Sequence, residues 1–172
     1  MLVYPKKYFE KISDITYEFL KENHIQALIL DVDNTLMDLD KNIPKETIEW
    51  CEDIKKKGII CCILSNSNKK QKVEMVAKTL ELPFFYFGAK PLKRGFKKAI
   101  QEIQRENKQI TNKNIAAVGD QIFTDIIGAN RLHLYPILLK PIAEKDIWIT
   151  KLKRPLEKYL IKKWRAKEKK GK

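Results

Sequence analysis

Two aspartates with one residue between them follow an apolar run near the start of the chain. Residues 27–30 are all apolar, which indicates a buried β-strand, and Asp31 and Asp33 stand at its carboxyl end. Side chains alternate along a strand, so both carboxylates point to one side if the extended geometry continues. Two buried carboxylates need compensation, which a divalent cation such as Mg²⁺ provides through oxygen ligands. Taken alone, however, the pair fits a solvated turn better than a metal site.

Three further polar clusters follow apolar runs downstream. The runs 59–64, 84–87 and 115–118 predict strands, and the clusters after them are Ser65 with Asn66, Lys90, and Asp120 with Asp125. Each cluster therefore occupies the same kind of position as the first two aspartates, at the carboxyl end of a predicted strand.

The segments around these runs carry apolar residues at helical spacing. They predict helices over 6–23, 44–58, 69–80, 96–107 and 123–131, and a fifth strand over 135–139. Apolar strands that alternate with helices predict an α/β protein with a parallel sheet covered on both faces. The carboxyl ends of such strands meet at one edge, where ligands bind. This convergence favours an active site over a solvated loop.

A phosphate monoester bound at this edge would meet the groups that its hydrolysis needs. Mg²⁺ held by Asp31 and by an acidic group after the fourth strand would neutralise phosphate oxygens, and Lys90 would add a fixed positive charge. Ser65 could hydrogen-bond another oxygen. Asp31 could attack phosphorus, while Asp33 protonates the leaving oxygen and then activates water.

The ordered set resembles the motifs of the haloacid dehalogenase (HAD) superfamily of phosphatases. Residues 31–36 resemble its first motif, Ser65 its second, Lys90 its third and residues 119–125 its acidic fourth motif. The resemblance covers roughly residues 25–140. It implies the three-layer, Rossmann-like HAD fold with a central parallel sheet of about five strands. It also implies Mg²⁺ dependence and an aspartyl-phosphate intermediate.

The same resemblance implies a role for each site residue. Asp31 would be nucleophile and metal ligand, and Asp33 would be acid and base and a ligand through its backbone carbonyl. Asp120 would be a ligand, and Asp125 either a ligand or a group that positions one. The candidate metal set is therefore Asp31, Asp33, Asp120 and Asp125, and the candidate phosphate-binding set is Asn34, Thr35, Ser65, Asn66 and Lys90.

The spacing between the motifs leaves no room for a cap domain, which superfamily members acting on small metabolites usually carry. Only residues 37–43 separate the first motif from the next helix, and 91–115 accommodate one helix and a turn. An open site suits a large substrate: a protein, a nucleic acid or a lipid in a bilayer. Among capless members (subclass IIIA), the chain is most similar to the bacterial branch related to mitochondrial phosphatidylglycerophosphate phosphatase. This implies conversion of phosphatidylglycerophosphate to phosphatidylglycerol.

The positive charge of the chain is concentrated at its carboxyl end. The formal net charge is +13, and residues 151–172 contribute +9 of it through eleven basic and two acidic residues. An apolar stripe at helical spacing runs among these bases: Leu152, Leu156, Tyr159, Leu160 and Trp164. This pattern predicts a basic amphipathic helix on an anionic membrane surface. A helix packed on the core, and contact with RNA phosphates, are the alternatives.

We therefore expect a phosphatase domain over 1–150, including an amphipathic N-terminal helix, and a basic helix and tail over 151–172. No run resembles a signal peptide or a membrane span, which predicts a cytoplasmic protein, peripheral on the inner face of the cell membrane if the tail binds lipid. Cys51, Cys61 and Cys62 are expected to be buried thiols. Two other functions stay open: a phosphatase of nucleotides or nucleic-acid ends, and an RNA- or ribosome-associated binding module.

Overall fold

The computed structural model of the chain describes residues 2–143, 155–157 and 159–166. Its centre is a parallel sheet of six strands in the order β1-β6-β5-β2-β3-β4. The strands are β1 (Lys7–Phe9), β2 (Ala27–Leu30), β3 (Ile60–Leu64), β4 (Phe84–Phe85), β5 (Ile115–Gly119) and β6 (Tyr135–Leu139). The predicted α/β fold with a parallel sheet is confirmed, with one strand more than expected.

Helices cover both faces of the sheet. They are α1 (Tyr17–Glu22), α2 (Lys45–Lys56), α3 (Lys70–Leu80), α4 (Lys93–Glu106) and α5 (Ile127–Asn130), with a π-helical turn at Ile122–Ile126 and helical residues at 155–157 and 159–166. Alternate residues of β2 enter different cores. Leu28 and Leu30 pack with α2 and α3, whereas Ala27 and Ile29 pack with α4. Burial on both faces is why β2 is apolar throughout.

The strand order reverses direction beside β2. From β2 the chain proceeds outward through β3 to β4, then crosses to β5 and β6 on the other side. In the register of the sheet, Leu30 lies between Ile63 of β3 and Val118 of β5. The carboxyl end of β2 is therefore the switch point at which open α/β sheets bind ligands.

The helix predicted over 6–23 is wrong in its first half. Residues Lys7–Phe9 form β1, which pairs with Ile137–Leu139 of β6, and only Tyr17–Glu22 is α-helical. Adjacent side chains of β1 face opposite ways, because Phe9 packs into the α2 and α3 core and Tyr8 beside Ile122 and Ile126. Without β1, the edge of β6 would have unpaired backbone N–H and carbonyl groups, and β1 pairs with them. The helical spacing of the apolar residues in 6–23 gives no sign of this pairing.

The structure has no cap domain within its continuous described segment, residues 2–143. Between β4 and β5 this segment forms α4 and a 3₁₀ turn at Asn112–Asn114, and residues 38–44 lead directly into α2. Within these residues, no inserted domain covers the carboxyl end of β2. None of the described helices has the length and apolar character needed to cross a bilayer.

The helical residues near the carboxyl end pack on the body with one side. Leu160 and Ile161 contact the cluster formed by Ile122, Ile126 and Leu138, whereas Leu156 and Tyr159 are exposed. The predicted apolar stripe is therefore divided between a packed side and an exposed side. Three parts of the prediction lie outside the described residues: Leu152, the domain boundary at 150, and the basic residues after 166.

Candidate active site

Asp31 lies directly after β2 and is held by the sheet. Its backbone N–H donates to the carbonyl of Val118 at 3.0 Å, which extends the pairing of β2 with β5 by one residue. Its carboxylate is buried, with Oδ1 2.5 Å from Nζ of Lys90. The first predicted site residue is therefore rigidly placed, because the strand that carries it is central in the sheet.

Asp33 does not share this environment, because the extended geometry ends before it. The N–H groups of Leu36 and Met37 both donate to the carbonyl of Val32, which closes a tight loop. Within this loop Asn34 has a φ of 59°, a left-handed conformation that asparagine tolerates. The carboxylate of Asp33 is turned toward α3, where Oδ1 forms an ion pair with Nζ of Lys72.

Lys90 joins two carboxylates inside the site. Its Nζ lies 2.5 Å from Oδ1 of Asp31 and 2.6 Å from Oδ1 of Asp125. Its backbone is clamped by Asn66, whose Oδ1 accepts from the Lys90 N–H at 2.6 Å and whose Nδ2 donates to the Lys90 carbonyl at 3.0 Å. Asn66, a predicted phosphate-binding residue, therefore has its side-chain amide engaged in positioning Lys90.

The loop before Lys90 is fixed by close backbone packing. A Cβ atom on Gly95 would collide with the carbonyl oxygen of Gly88, so α4 rests directly on this loop. The N–H of Gly88 donates to the carbonyl of Ser65 at 2.8 Å. Ser65 is fully buried, and its hydroxyl accepts from the N–H of Ser67 at 3.1 Å, which leaves its own proton able to donate.

Asp31, Asp120 and Asp125 form a buried acidic triad. Each offers a carboxylate oxygen, and these oxygens lie within 4.8 Å of one another. Asp125 is held on its second oxygen by the N–H of Gln121 at 3.2 Å. A Cβ atom on Gly119 would collide with the Asp125 carboxyl group, so glycine permits this close approach. The triad contains three of the four predicted metal ligands.

The charge balance of the triad fits a divalent cation. Three buried carboxylates come together here, and within the described residues the ammonium group of Lys90 contacts two of them, those of Asp31 and Asp125. Burial raises the pKa of Asp31, and the negative charge of Asp125 adds to this effect, although Lys90 opposes it. Burial lowers the pKa of Lys90, but Asp125 and Asp31 outweigh this and raise it above its usual value. Carboxylate oxygens are hard donors, which are the ligands that divalent cations such as Mg²⁺ take.

The other two predicted phosphate-binding residues lie in the first-motif loop. The Asn34 carbonyl accepts from the N–H of Ile142 at 3.1 Å, and its Oδ1 accepts from the N–H of Ala143 at 3.4 Å. Asn34 therefore ties the loop after β6 to the site. The hydroxyl of Thr35 is buried and has no hydrogen-bond partner in the part of the chain that the structure describes.

Two charged residues at the site were not predicted from the sequence. Lys72 of α3 contacts Asp33, and the buried Glu157 accepts from the N–H groups of Ile122 and Phe123 at 2.9 and 3.4 Å. Glu157 thus caps the π-helical turn that contains Asp125. It is the one acid among the bases of residues 151–167, a signal that could have identified it. No comparable signal identifies Lys72.

Comparison with known proteins gives the family. Residues 1–142 match the family model described as Mitochondrial PGP phosphatase. The Bacillus subtilis protein named "Probable phosphatase YqeG" is 34% identical over 158 residues, which cover 91% of this chain and 88% of that protein. The Arabidopsis thaliana protein "Phosphatidylglycerophosphate phosphatase 1, chloroplastic/mitochondrial" is 29% identical over 160 residues, which cover 87% of this chain and 44% of that protein.

Solved structures support the fold at lower sequence identity. An uncharacterized protein from Listeria monocytogenes has a TM-score of 0.51 at 20% identity, covering 72% of this chain and 85% of that one. A HAD phosphatase from Thermococcus onnurineus has a TM-score of 0.50 at 16% identity, covering 67% and 58%. With the match over residues 1–142, the chain belongs to the mitochondrial PGP phosphatase family and is a phosphoric monoester hydrolase, with a fold like that of the HAD phosphatase from Thermococcus onnurineus.

Proposed function

We propose that this enzyme hydrolyses the phosphate monoester of phosphatidylglycerophosphate in a Mg²⁺-dependent reaction, giving phosphatidylglycerol and inorganic phosphate. The observation that carries the chemistry is the buried triad of Asp31, Asp120 and Asp125, with Lys90 between two of its members. The substrate is supported by the family and by the name of the Arabidopsis relative. The absence of a cap domain within residues 2–143 also suits a lipid headgroup that stays in its bilayer.

The residues that would hold the metal are the three carboxylates of the triad, together with the backbone carbonyl of Asp33 that the family resemblance implies. Bound Mg²⁺ would supply positive charge that neutralises the phosphate oxygens during transfer. Lys90 adds a second positive charge, fixed by the Asn66 clamp on its backbone. A cation that is positioned before the reaction stabilises developing negative charge without reorganisation.

The covalent steps use the two aspartates of the first motif. The Asp31 carboxylate attacks phosphorus, and the bond from phosphorus to the lipid oxygen breaks as Asp33 donates its proton to that oxygen. The Asp33 carboxylate then takes a proton from water. The resulting hydroxide attacks phosphorus, the bond to Asp31 breaks and inorganic phosphate leaves. Asp31 and the protonated Asp33 are thereby regenerated.

The different environments of these aspartates support this division of roles. Asp31 is buried, so its carboxylate is shielded from water and directed by Lys90. Asp33 is partly exposed beside Lys72, where it can exchange protons with solvent between the two steps. Ser65 and Thr35 add hydroxyl groups for phosphate oxygens. The location that follows from a lipid substrate is the inner surface of the cell membrane.

The test is phosphate release from phosphatidylglycerophosphate in mixed micelles, beside a panel of nucleotides and other soluble phosphate esters. We expect turnover with Mg²⁺, loss of turnover in EDTA and recovery when Mg²⁺ is restored. Asp31→Asn should lower kcat by ~10⁴-fold or more, because it removes the nucleophile. Asp40→Asn, at an exposed position of the same segment, is the matched control and should keep full activity.

Each part of the proposal can fail separately in this experiment. Turnover of nucleotides with no turnover of the lipid would reject the substrate and keep the chemistry. Turnover that persists in EDTA would reject the metal. Full activity of Asp31→Asn would reject the covalent mechanism.

A further inference from the structure

Large apolar side chains project into solvent beside the active site. After β4 the chain leaves the sheet two residues earlier than predicted, so Tyr86 and Phe87 lie outside it, 42% and 70% exposed. The N–H of Phe87 donates to the carbonyl of Ser67 at 2.9 Å, which holds this segment against the loop after β3. Leu92, on the other side of Lys90, is 55% exposed.

The backbone conformation at Phe87 is also energetically unfavourable. Its φ is 51°, in the left-handed region that bulky residues rarely adopt. The burial of the Phe87 side chain does not offset this strain, because most of that side chain faces solvent. A strained backbone that presents an aromatic ring to water is typical of a binding surface rather than of a packing requirement.

The chain segments that carry these side chains are basic. Residues 65–73 and 83–101, which border the site after β3 and β4, contain eight basic residues and no acid. Lys69, Lys70, Lys93 and Arg94 are exposed, and none forms an ion pair within the described residues. We call the following set the rim surface: Tyr86, Phe87, Leu92, Lys69, Lys70, Lys93 and Arg94.

We infer that the rim surface docks the enzyme on an anionic lipid bilayer, with its apolar side chains in the interface and its bases on headgroup phosphates. Aromatic rings and a leucine surrounded by bases match the chemistry of that interface. Single-stranded RNA would use the rings for stacking, but it gives an exposed leucine nothing to bury against. The inference rests on the proposed function, because docking here brings a lipid phosphate to Lys90 and Asp31.

The rim surface and the carboxyl-terminal helix lie near opposite edges of the sheet. The rim surface follows β3 and β4, whereas Leu160 and Ile161 of the helix pack beside Leu138 of β6. The exposed pair Leu156 and Tyr159 on that helix therefore provides a matched control. It has similar exposure and apolar character, but it lies away from the rim.

The test measures binding of the full chain to vesicles with an equal mixture of phosphatidylcholine and phosphatidylglycerol. The rim variant combines Tyr86→Ser with Phe87→Asn, and asparagine tolerates the left-handed backbone, so its Tm should not fall. We expect at least a ~tenfold loss of vesicle affinity, from the apolar area no longer buried. Hydrolysis of para-nitrophenyl phosphate should stay unchanged. Lys93→Gln with Arg94→Gln should lower affinity ~thirtyfold for these vesicles.

The control variant, Leu156→Gln with Tyr159→Gln, tests the membrane helix predicted from the sequence, and the rim inference expects it to bind vesicles like the parent chain. Loss of affinity in this variant but not in the rim variant would overturn the inference. Parental affinity of the rim variant would overturn the inference, as would rim-dependent binding to single-stranded RNA without binding to vesicles. Vesicle binding requires no turnover, so it is measured separately from the proposed function. Rim-dependent binding without hydrolysis of phosphatidylglycerophosphate would reject the substrate and keep the docking surface. Hydrolysis of phosphatidylglycerophosphate without rim-dependent binding would reject the docking surface alone.

Discussion

Replacing Lys90 by methionine would remove the ammonium group that lies between two buried carboxylates. Its Nζ is 2.5 Å from Asp31 and 2.6 Å from Asp125, and the Lys90 side chain is 3% exposed. Methionine is an unbranched side chain that adapts to irregular space, so the main loss is electrostatic. Water cannot replace the lost counter-charge without entering the core.

The cost follows from leaving buried charges without their partner. Removing one member of a buried ion pair costs ~3–5 kcal/mol, and 1 kcal/mol lowers the Tm of a chain of this size by ~2–4 °C. We therefore expect Lys90→Met to unfold ~6–20 °C below the parent chain in EDTA. Mg²⁺ at ~100 times its Kd adds ~2.7 kcal/mol to either protein that binds it. In Mg²⁺ the Tm of Lys90→Met should therefore rise toward the value that the parent chain has in EDTA.

The difference between variant and parent should depend on pH. Burial already raises the pKa of Asp31 above its unfolded value, and loss of Lys90 removes the group that opposes this. A group with a raised pKa binds its proton more tightly in the folded state, so stability falls as pH rises through that pKa. The Tm deficit of Lys90→Met should therefore be larger at pH 8 than at pH 5.

Differential scanning calorimetry in EDTA and in Mg²⁺, at both pH values, measures these effects. Lys93→Met is the matched control, because Lys93 is exposed and forms no ion pair in the described part of the chain. Its Tm should change little, since surface substitutions usually alter stability by less than ~0.5 kcal/mol. An unchanged or higher Tm for Lys90→Met in EDTA at pH 8 would refute the charge balance derived for the site.

Three further predictions concern the packing around the site. Gly119→Ala should weaken Mg²⁺ binding ~10–100-fold in an activity titration, because the added Cβ displaces the Asp125 carboxylate, and an unchanged titration would contradict this. Glu157→Ala should destabilise the fold by ~1.5–3 kcal/mol in urea, since the N–H groups of Ile122 and Phe123 lose their charged acceptor, whereas equal stability would exclude a capping role. Burial raises the pKa of Cys51 to about 11 and of Cys62 to about 12, so thiol reagents at pH 8 should react only after denaturation, and rapid reaction of the native protein would disprove their burial.

Strands buried on both faces could be predicted closely from the sequence. The predicted run 115–118 corresponds to Ile115–Gly119, and the strand predicted over 135–139 is Tyr135–Leu139. β1 was missed because three residues at a sheet edge carry too little alternation to compete with the helical spacing around them. β4 ends early for a related reason, since an aromatic run does not reveal where pairing with β3 stops.

The site was predicted where it depends on topology and missed where it depends on contacts between distant segments. Asp31, Lys90, Asp120 and Asp125 converge because parallel strands bring their carboxyl ends to one edge. The contact between Asn66 and the backbone of Lys90 joins residues from two different loops. No periodicity or spacing encodes such a contact, because it depends on how α4 fixes the loop before Lys90.

The division of roles proposed for Asp31 and Asp33 depends on the loop between them rather than on their spacing. Extended backbone would turn both carboxylates to one side, where Lys90 would face two adjacent charges. The tight turn at Asn34 instead separates them, so that each aspartate meets its own lysine. One carboxylate becomes buried and fixed, and the other stays partly exposed and able to exchange protons. Enzymes that use paired carboxylates in two roles depend on such a difference in environment.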